Sequence, residues 1–108
     1  VGTSDIGIGF PEMYLLDEMD NNLNLYRKKS PITYAKNIMT PTLIIHSEND
    51  YRCPVEQSEQ LFSTLKRNKV ESAMIRFPNE GHELSRSGKP IHRKQRFDFI
   101  VDWHKKYL

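Results

Sequence analysis

The sequence predicts an α/β fold built on a parallel sheet, and three observations support this prediction. Two short apolar runs, Thr42–His46 and Ala73–Phe77, have the length and continuity of buried strands. Apolar residues with helical spacing lie between the two runs, and a longer helical segment follows the second run. The connections between these elements are short. Strand and helix therefore alternate in the order typical of a parallel sheet with a right-handed crossover.

Length and composition limit what this fold can contain. The chain has 108 residues, enough for one small domain, and its 37% hydrophobic and 28% charged residues are typical of a soluble globular protein. No apolar run is long enough to span a membrane. The single cysteine, Cys53, cannot form a disulfide framework, so we expect a reducing compartment, the cytoplasm. With 16 basic and 14 acidic residues, the charge gives no reason to expect nucleic acid as a partner.

The first third of the chain, up to Asn37, is polar and is interrupted by glycine, proline and asparagine residues. Short helical turns are predicted over Glu12–Asp17 and Leu23–Lys29. Ser30 as the N-cap and Pro31 at the first helical position predict the start of another helix. This part is therefore expected to be irregular helix and loop.

The middle of the chain is patterned more regularly. The run Thr42–His46 follows Pro41 and is expected to be a strand buried on both faces. A helix is predicted to begin near Pro54 and to stop at Asn68, with Asn68 in the left-handed conformation. The residues that share the apolar face of this helix are Val55, Ser58, Leu61, Phe62 and Leu65.

The last third predicts a second strand, Ala73–Phe77, and a long helix, Pro90–Tyr107. Two strands are too few to form a parallel sheet, because buried parallel strands need neighbours on both sides and helices on both faces. We therefore expect residues 1–108 to be a segment of a larger α/β domain, with an incomplete sheet, and not a complete independent domain. The residues expected on the packing face of the long helix are Phe97, Ile100, Val101 and His104.

Two residues with catalytic chemistry follow the predicted strands. Asp50 comes a few residues after the first strand, and His82 a few residues after the second. Ligands bind beyond the carboxyl ends of the strands in open α/β sheets, and parallel strands bring both loops to one edge. A carboxylate there holds the imidazole in one tautomer and stabilises the imidazolium. The order acid then base is that of the last two members of the α/β-hydrolase triad.

The nucleophile of such a triad is missing from this chain. It would sit on a Gly-x-Ser-x-Gly turn, and none of the serines has that context; Ser4 comes nearest and fails the spacing. Taken singly, Asp50 is more typical of a turn or cap residue, and His82 of an exposed loop histidine. As a pair after consecutive strands, they favour a functional interpretation.

Other polar residues give weaker signals. The remaining histidines and Cys53 lack metal-ligand spacing, so neither a metal nor a cofactor is predicted. Arg52, two residues beyond Asp50, either pairs with a carboxylate across the site or is a solvated loop charge. The basic stretch Arg86–Arg96 is more typical of a solvated helix face than of a phosphate-binding surface.

Longer motifs carry a resemblance to a known family. The stretches Asn49–Pro54 (Asn-Asp-Tyr-Arg-Cys-Pro) and Phe77–Pro90, which contains Gly-His-Glu-Leu-Ser-Arg-Ser-Gly-Lys-Pro, are much more specific than a lone Gly-His. With Thr40–His46 and the opening Gly2–Gly7, they resemble the C-terminal part of the catalytic domain of prolyl oligopeptidase family serine peptidases. The acylaminoacyl peptidase branch fits best.

The resemblance implies an α/β-hydrolase domain that removes blocked N-terminal residues from short peptides or cleaves oligopeptides. It implies Asp50 as the triad acid, His82 as the general base and Arg52 as a residue near the bound substrate. The partners implied are the rest of the hydrolase domain, with its nucleophile elbow, and a β-propeller that precedes it. One departure is local: Ser47 stands where relatives often have glycine. Because the serine lies outside this chain, we expect the fragment alone to be inactive.

Two other interpretations stay open on the sequence. One is a different α/β-hydrolase, such as a dipeptidyl peptidase or an esterase. The other is a non-catalytic binding module, which predicts a stable folded monomer. The fragment interpretation predicts self-association instead, because sheet edges and apolar helix faces would be exposed.

Overall fold

A computed structural model describes residues 3–7, 9–16 and 18–108. Three helical elements come first: helix α1, helix α2 and a 3-10 helix. A strand–helix–strand unit (β1, α3, β2) and two further helices, α4 and α5, follow. The bounds are α1 Gly9–Leu15, α2 Leu23–Lys29, the 3-10 helix Pro31–Asn37, β1 Thr42–Ser47, α3 Glu56–Arg67, β2 Ser72–Phe77, α4 Leu84–Ser87 and α5 Pro90–Tyr107.

The helical first third largely follows its capping residues. The side chain of Asn22 accepts a hydrogen bond from Leu25 N–H at 3.1 Å and caps α2, whose bounds are those predicted. Pro31 opens the next helix as expected, with Ser30 at its N-cap. The Ser30 hydroxyl makes no cap bond; it donates instead to the carbonyl of Tyr26 at 2.7 Å.

Helix α1 differs from its prediction. It begins three residues early, at Gly9, and ends at Leu15. The predicted last residue, Asp17, lies outside the described part of the chain, as does Gly2 of the opening motif. Leu16 follows the helix with φ of 57°, a left-handed conformation that stops the α-helix.

The two strands pair in parallel, as predicted, in the register Thr42↔Ser72 to Ser47↔Phe77. Each strand is one residue longer than its apolar run. The expectation that the first strand is buried on both faces is wrong for this chain. Only Ile44 and Ser47 of β1 are buried, and the other four residues are half-buried. Within the described residues the sheet has two strands, so β1 lacks the second neighbour that would cover it.

The core lies between the sheet and α3. Leu65 is fully buried there and contacts the cluster that contains Ile44 and Val70. Helix α3 ends in a Schellman motif: Val70 N–H donates to the Leu65 carbonyl at 2.9 Å, and Lys69 N–H to the Lys66 carbonyl at 3.0 Å. Partly buried side chains around the cluster are Ile38, Leu61, Phe62 and Met74.

The left-handed residue of this motif is Lys69, with φ of 59°, and not Asn68, with φ of −83°. A lysine in this conformation costs about 1 kcal/mol, which asparagine or glycine would reduce. Packing of Val70 on Leu65 fixes the stop one residue later than residue preference suggests.

Helix α5 packs by a face that shares only Ile100 with the predicted one. Phe97 is 62% and Val101 46% exposed. The half-buried positions recur at helical spacing and are His92, Arg93, Arg96, Ile100, Trp103 and Tyr107. Ile100 and Trp103 line a cavity of about 380 Å³ against β1.

Among the described helices, none combines the length and the hydropathy that a membrane crossing requires.

Candidate active site

The site lies where β1 and β2 end. Asp50 follows the last residue of β1 by three positions, and His82 follows the last residue of β2 by five. Because the strands are parallel and in register, both loops leave the same edge of the sheet. Backbone bonds join the loops: Glu48 N–H donates to the Phe77 carbonyl at 3.0 Å, and Asn49 N–H to the Glu80 carbonyl at 2.9 Å.

The carboxylate of Asp50 is the fixed member of the site. The residue is only 9% exposed, and its Oδ1 accepts hydrogen bonds from the N–H groups of Arg52 at 3.0 Å and Cys53 at 2.8 Å. Burial raises the pKa of Asp50, but hydrogen bonds from Cys53 N–H and from His82 outweigh it. The net pKa lies below the ordinary 3.8, so Asp50 is ionised at neutral pH.

His82 is the accessible member, with 45% of its side chain exposed. Its Nδ1 lies 3.0 Å from Oδ2 and 3.2 Å from Oδ1 of Asp50. An ionised carboxylate only accepts, so Nδ1 carries the hydrogen and Nε2 holds the lone pair of the neutral ring. The structure thus gives His82 the tautomer that a general base needs.

A buried glutamate that sequence reasoning missed supports the histidine loop. Glu80 is 5% exposed, and its Oε1 accepts from the Lys89 N–H at 3.0 Å and lies 2.6 Å from Nδ1 of His92. The hydrogen bond to His92, followed by that from Lys89, holds the pKa of Glu80 below its usual 4.5. Glu80 therefore ties the loop that carries His82 to the start of α5.

Arg52 joins the first segment of the chain to the Asp50 loop. Its Nε donates to Asp5 Oδ1 at 2.7 Å, so the guanidinium pairs with a carboxylate, one of the two roles considered above. Asp5 N–H also donates to the Tyr51 carbonyl at 2.7 Å. Ser4, the serine nearest to a nucleophile motif, donates its hydroxyl to the Arg52 carbonyl at 2.7 Å.

A cavity of about 650 Å³ opens beside His82 and Arg52, between the start of the chain and α3. His82, Arg52 and Cys53 line it on the polar side. The thiol of Cys53 is not activated, because burial, with the charge of Asp50, raises its pKa. The apolar lining residues are Ile6, Pro11, Pro31, Ile32 and Leu61. Such a mixture of apolar walls and a few polar groups suits a small organic group.

The other candidates lie away from the pair. His104 Nδ1 donates to the carbonyl of Ile100 within its own helix. In the basic stretch, Arg86 forms an ion pair with Glu83 and Lys94 with Asp98, both on the surface. No group of three metal-ligating side chains occurs among the residues that the structure describes.

Fold and site together define a class: an α/β protein with a carboxylate–imidazole pair at the carboxyl edge of a parallel sheet. The sequence matches the prolyl oligopeptidase family over residues 3–108, and the chain belongs to this family. It is 44% identical over 107 residues to the uncharacterized peptidase YuxL of Bacillus subtilis, covering 99% of this chain and 16% of that protein.

Two further relatives are named for an enzymatic activity. A dipeptidyl-peptidase 4 of Giardia intestinalis is 30% identical over 95 residues, which are 88% of this chain and 12% of that protein. The structure superposes on the acylaminoacyl peptidase of Pyrococcus horikoshii with a TM-score of 0.86 and 38% identity, covering 99% of this chain and 17% of that one. The chain thus spans about one-sixth or less of the length of these relatives.

Proposed function

We propose that this chain supplies the acid and the base of a Ser–Asp–His triad in a serine peptidase whose serine lies outside residues 1–108. The observation that carries the proposal is the 3.0 Å contact between Nδ1 of His82 and Oδ2 of Asp50. The match to a peptidase family over residues 3–108 supports it.

In this mechanism each residue has one task. Nε2 of His82 takes the proton of the serine hydroxyl as the serine oxygen bonds to the substrate carbonyl, and then gives that proton to the leaving amine. Asp50 stays ionised, holds the ring by Nδ1 and stabilises the imidazolium formed between the two transfers. The half-exposed His82 ring suits proton exchange with a group outside this chain.

The substrate that we propose is a short or N-acylated peptide. The solved relative from Pyrococcus horikoshii is an acylaminoacyl peptidase, and the cavity beside His82 has apolar walls that suit a substrate side chain or acyl group. We place Arg52 at the substrate, since Arg52 is among the residues that line that cavity. Dipeptidyl peptidase activity is the second candidate, favoured by the relative from Giardia intestinalis.

We further propose that the remaining parts of the enzyme lie elsewhere in a longer polypeptide. These parts are the nucleophile elbow, the oxyanion-hole donors, further strands and a β-propeller. Without a nucleophile and oxyanion hole, the isolated 108 residues would be inactive. They would also self-associate, because β1 has a free edge and large apolar side chains such as Met39 are exposed. The single Cys53 favours the cytoplasm.

The test compares substrates on the polypeptide that joins this chain to the rest of its domain. We expect kcat/KM to be highest for an N-acetylated peptide, lower for the same peptide with a free amino terminus, and abolished for both by His82→Ala. The matched control is His104→Ala, which removes an exposed imidazole on α5 and leaves activity unchanged. Highest kcat/KM on free-amino-terminal dipeptide substrates favours the second candidate. Hydrolysis that survives His82→Ala would overturn the triad.

A further inference from the structure

A second histidine lies beside the Asp50 carboxylate. His46, the last residue but one of β1, has only 11% of its side chain exposed, and its Nε2 lies 3.8 Å from Oδ2 of Asp50. The ring is bonded at both nitrogens: Nε2 lies 2.7 Å from the Cys53 carbonyl oxygen, and Nδ1 lies 2.6 Å from Oγ of Ser58 on α3. The proposed mechanism does not use this residue.

The two bonds fix the hydrogen positions on the ring. A carbonyl oxygen only accepts, so Nε2 of His46 carries a hydrogen in either protonation state. In the neutral ring Nδ1 is then the acceptor, and the Ser58 hydroxyl donates to it. The N–H edge of His46 therefore faces the Asp50 loop, with the positive end of its dipole toward Oδ2.

We propose that His46 is a positioning residue for the Asp50–His82 pair, with the Ser58 hydroxyl holding its ring in place at Nδ1. Cys53 connects the two: its N–H holds Oδ1 of Asp50 at 2.8 Å, and its carbonyl is held by His46. The backbone that fixes the carboxylate thus cannot shift without breaking the His46 bond. This inference rests on the proposed function for its catalytic meaning, but its geometric content is independent of hydrolysis.

The test uses two pairs of variants in the polypeptide that joins this chain to the rest of its domain. In His46→Gln, the longer amide places an N–H near the position of Nε2 and keeps the bond to Cys53. In His46→Asn, the shorter amide reaches only toward Ser58, so the bond to the Cys53 carbonyl is lost. Likewise, Ser58→Ala removes the hydroxyl that holds Nδ1 of His46, and Ser58→Thr keeps that hydroxyl. His104→Asn, on the surface of α5, is the control.

The first readout is steady-state hydrolysis of an N-acetylated peptide. We expect His46→Asn to lower kcat by about 10- to 100-fold with KM little changed, because a small misplacement of the orienting carboxylate is felt in the transition state. We expect His46→Gln to retain kcat within about threefold of the unaltered protein, because its amide N–H restores the bond to the Cys53 carbonyl.

The second readout does not depend on hydrolysis. The Nδ1 proton of His82, hydrogen-bonded to Asp50, gives a downfield proton resonance. We expect it to be sharp in the unaltered protein and in His46→Gln, and broadened by solvent exchange in His46→Asn. The unaltered protein could hydrolyse no peptide and still show a resonance that broadens in His46→Asn and stays sharp in His46→Gln. In that case the proposed function fails and the positioning role stands. An unchanged resonance in His46→Asn overturns the role of His46.

The Ser58 pair decides the matter if His46→Asn does not fold. These variants leave the imidazole in place and alter only its hydrogen-bond partner at Nδ1. Broadening of the His82 resonance in Ser58→Ala, with recovery in Ser58→Thr, supports the proposal. Equal resonances in the two variants contradict it.

Discussion

The imidazole of His82 lies 3.0 Å from the carboxylate of Asp50, although 32 residues separate them along the chain. Parallel pairing of β1 and β2 explains the contact, because it sends both loops to one sheet edge. The two members differ in exposure. The Asp50 carboxylate is buried and held by two backbone N–H groups, whereas the His82 ring is half-exposed. A fixed acceptor and an accessible ring are what an orienting acid and a general base require.

Replacing Asp50 tests the orienting role. We expect Asp50→Asn to lower kcat by about 10⁴-fold, because the amide can donate as well as accept and no longer enforces the Nδ1–H tautomer of His82. Steady-state kinetics on the proposed longer polypeptide measure this. Asp102→Asn, an exposed substitution on α5, serves as the control and leaves kcat unchanged. A loss of less than tenfold in Asp50→Asn would show that His82 does not depend on this carboxylate.

The proposed substrate role of Arg52 makes a different kinetic prediction. We expect Arg52→Gln to raise KM about tenfold and to change kcat by less than threefold, because it removes an interaction made equally in the ground and transition states. Initial-rate measurements over a range of peptide concentrations separate the two constants. Arg67→Gln, at the exposed end of α3, is the matched control. A fall in kcat without a change in KM would place Arg52 at the reacting atoms instead.

The lowered carboxyl pKa values of Glu80 and Asp50 imply that the folded protein loses stability in acid. Both carboxyl pKa values lie below their ordinary values of 4.5 and 3.8, so the folded state binds these protons less readily than the unfolded state. Their stabilisation is complete above the ordinary pKa values and is lost as pH falls through the lower folded-state values. We expect the midpoint temperature of thermal unfolding to decrease as the pH is lowered below about 4.5. We expect this decrease to be smaller in Glu80→Gln.

The control for this prediction is Asp102→Asn, which removes an exposed carboxylate and should leave the pH dependence unaltered. Calorimetric scans from pH 3 to pH 7 compare the three proteins. A pH dependence in Glu80→Gln as steep as in the unaltered protein would mean that the Glu80–His92 bond does not contribute.

Gly88 is required by a close approach of backbone. A Cβ atom placed there would lie 2.5 Å from the Leu84 carbonyl oxygen and 2.8 Å from Oε2 of Glu80. We therefore expect Gly88→Ala to lower the free energy of unfolding by about 1–3 kcal/mol. Gly9→Ala is the matched control, because Gly9 lies in helix α1 and a Cβ atom there would meet no atom within 4 Å. Equal denaturation midpoints for the two variants would contradict this.

The sequence predicted the elements that depend on local patterns. Strand β2, helix α3 and the Pro31 helix start appear close to their predicted positions, since apolar runs and caps act over a few residues. The approach of His82 to Asp50 was predictable too, because parallel neighbouring strands send both loops to one edge of the sheet. These predictions required no knowledge of how distant elements pack.

What the sequence could not predict depends on such packing. The burial of Glu80 requires the Lys89 N–H and His92, which α5 brings to it. The bonding of His46 depends likewise on where α3 places Ser58. The packing face of α5 was misassigned for the same reason, since hydrophobic spacing does not say which side of that helix meets β1. Glutamate side chains are rarely buried, so the sequence around Glu80 does not indicate that its carboxylate is buried.

The proposed activation of a serine outside these 108 residues by Asp50 and His82 can be detected with a probe that labels activated serines. A fluorophosphonate probe is reacted with the complete polypeptide, and the modified residue is located by mass spectrometry of peptides. We expect a single labelled serine within a Gly-x-Ser-x-Gly turn outside this chain, with labelling lost in His82→Ala. A labelled serine within residues 1–108, or labelling unchanged in His82→Ala, would contradict the claim.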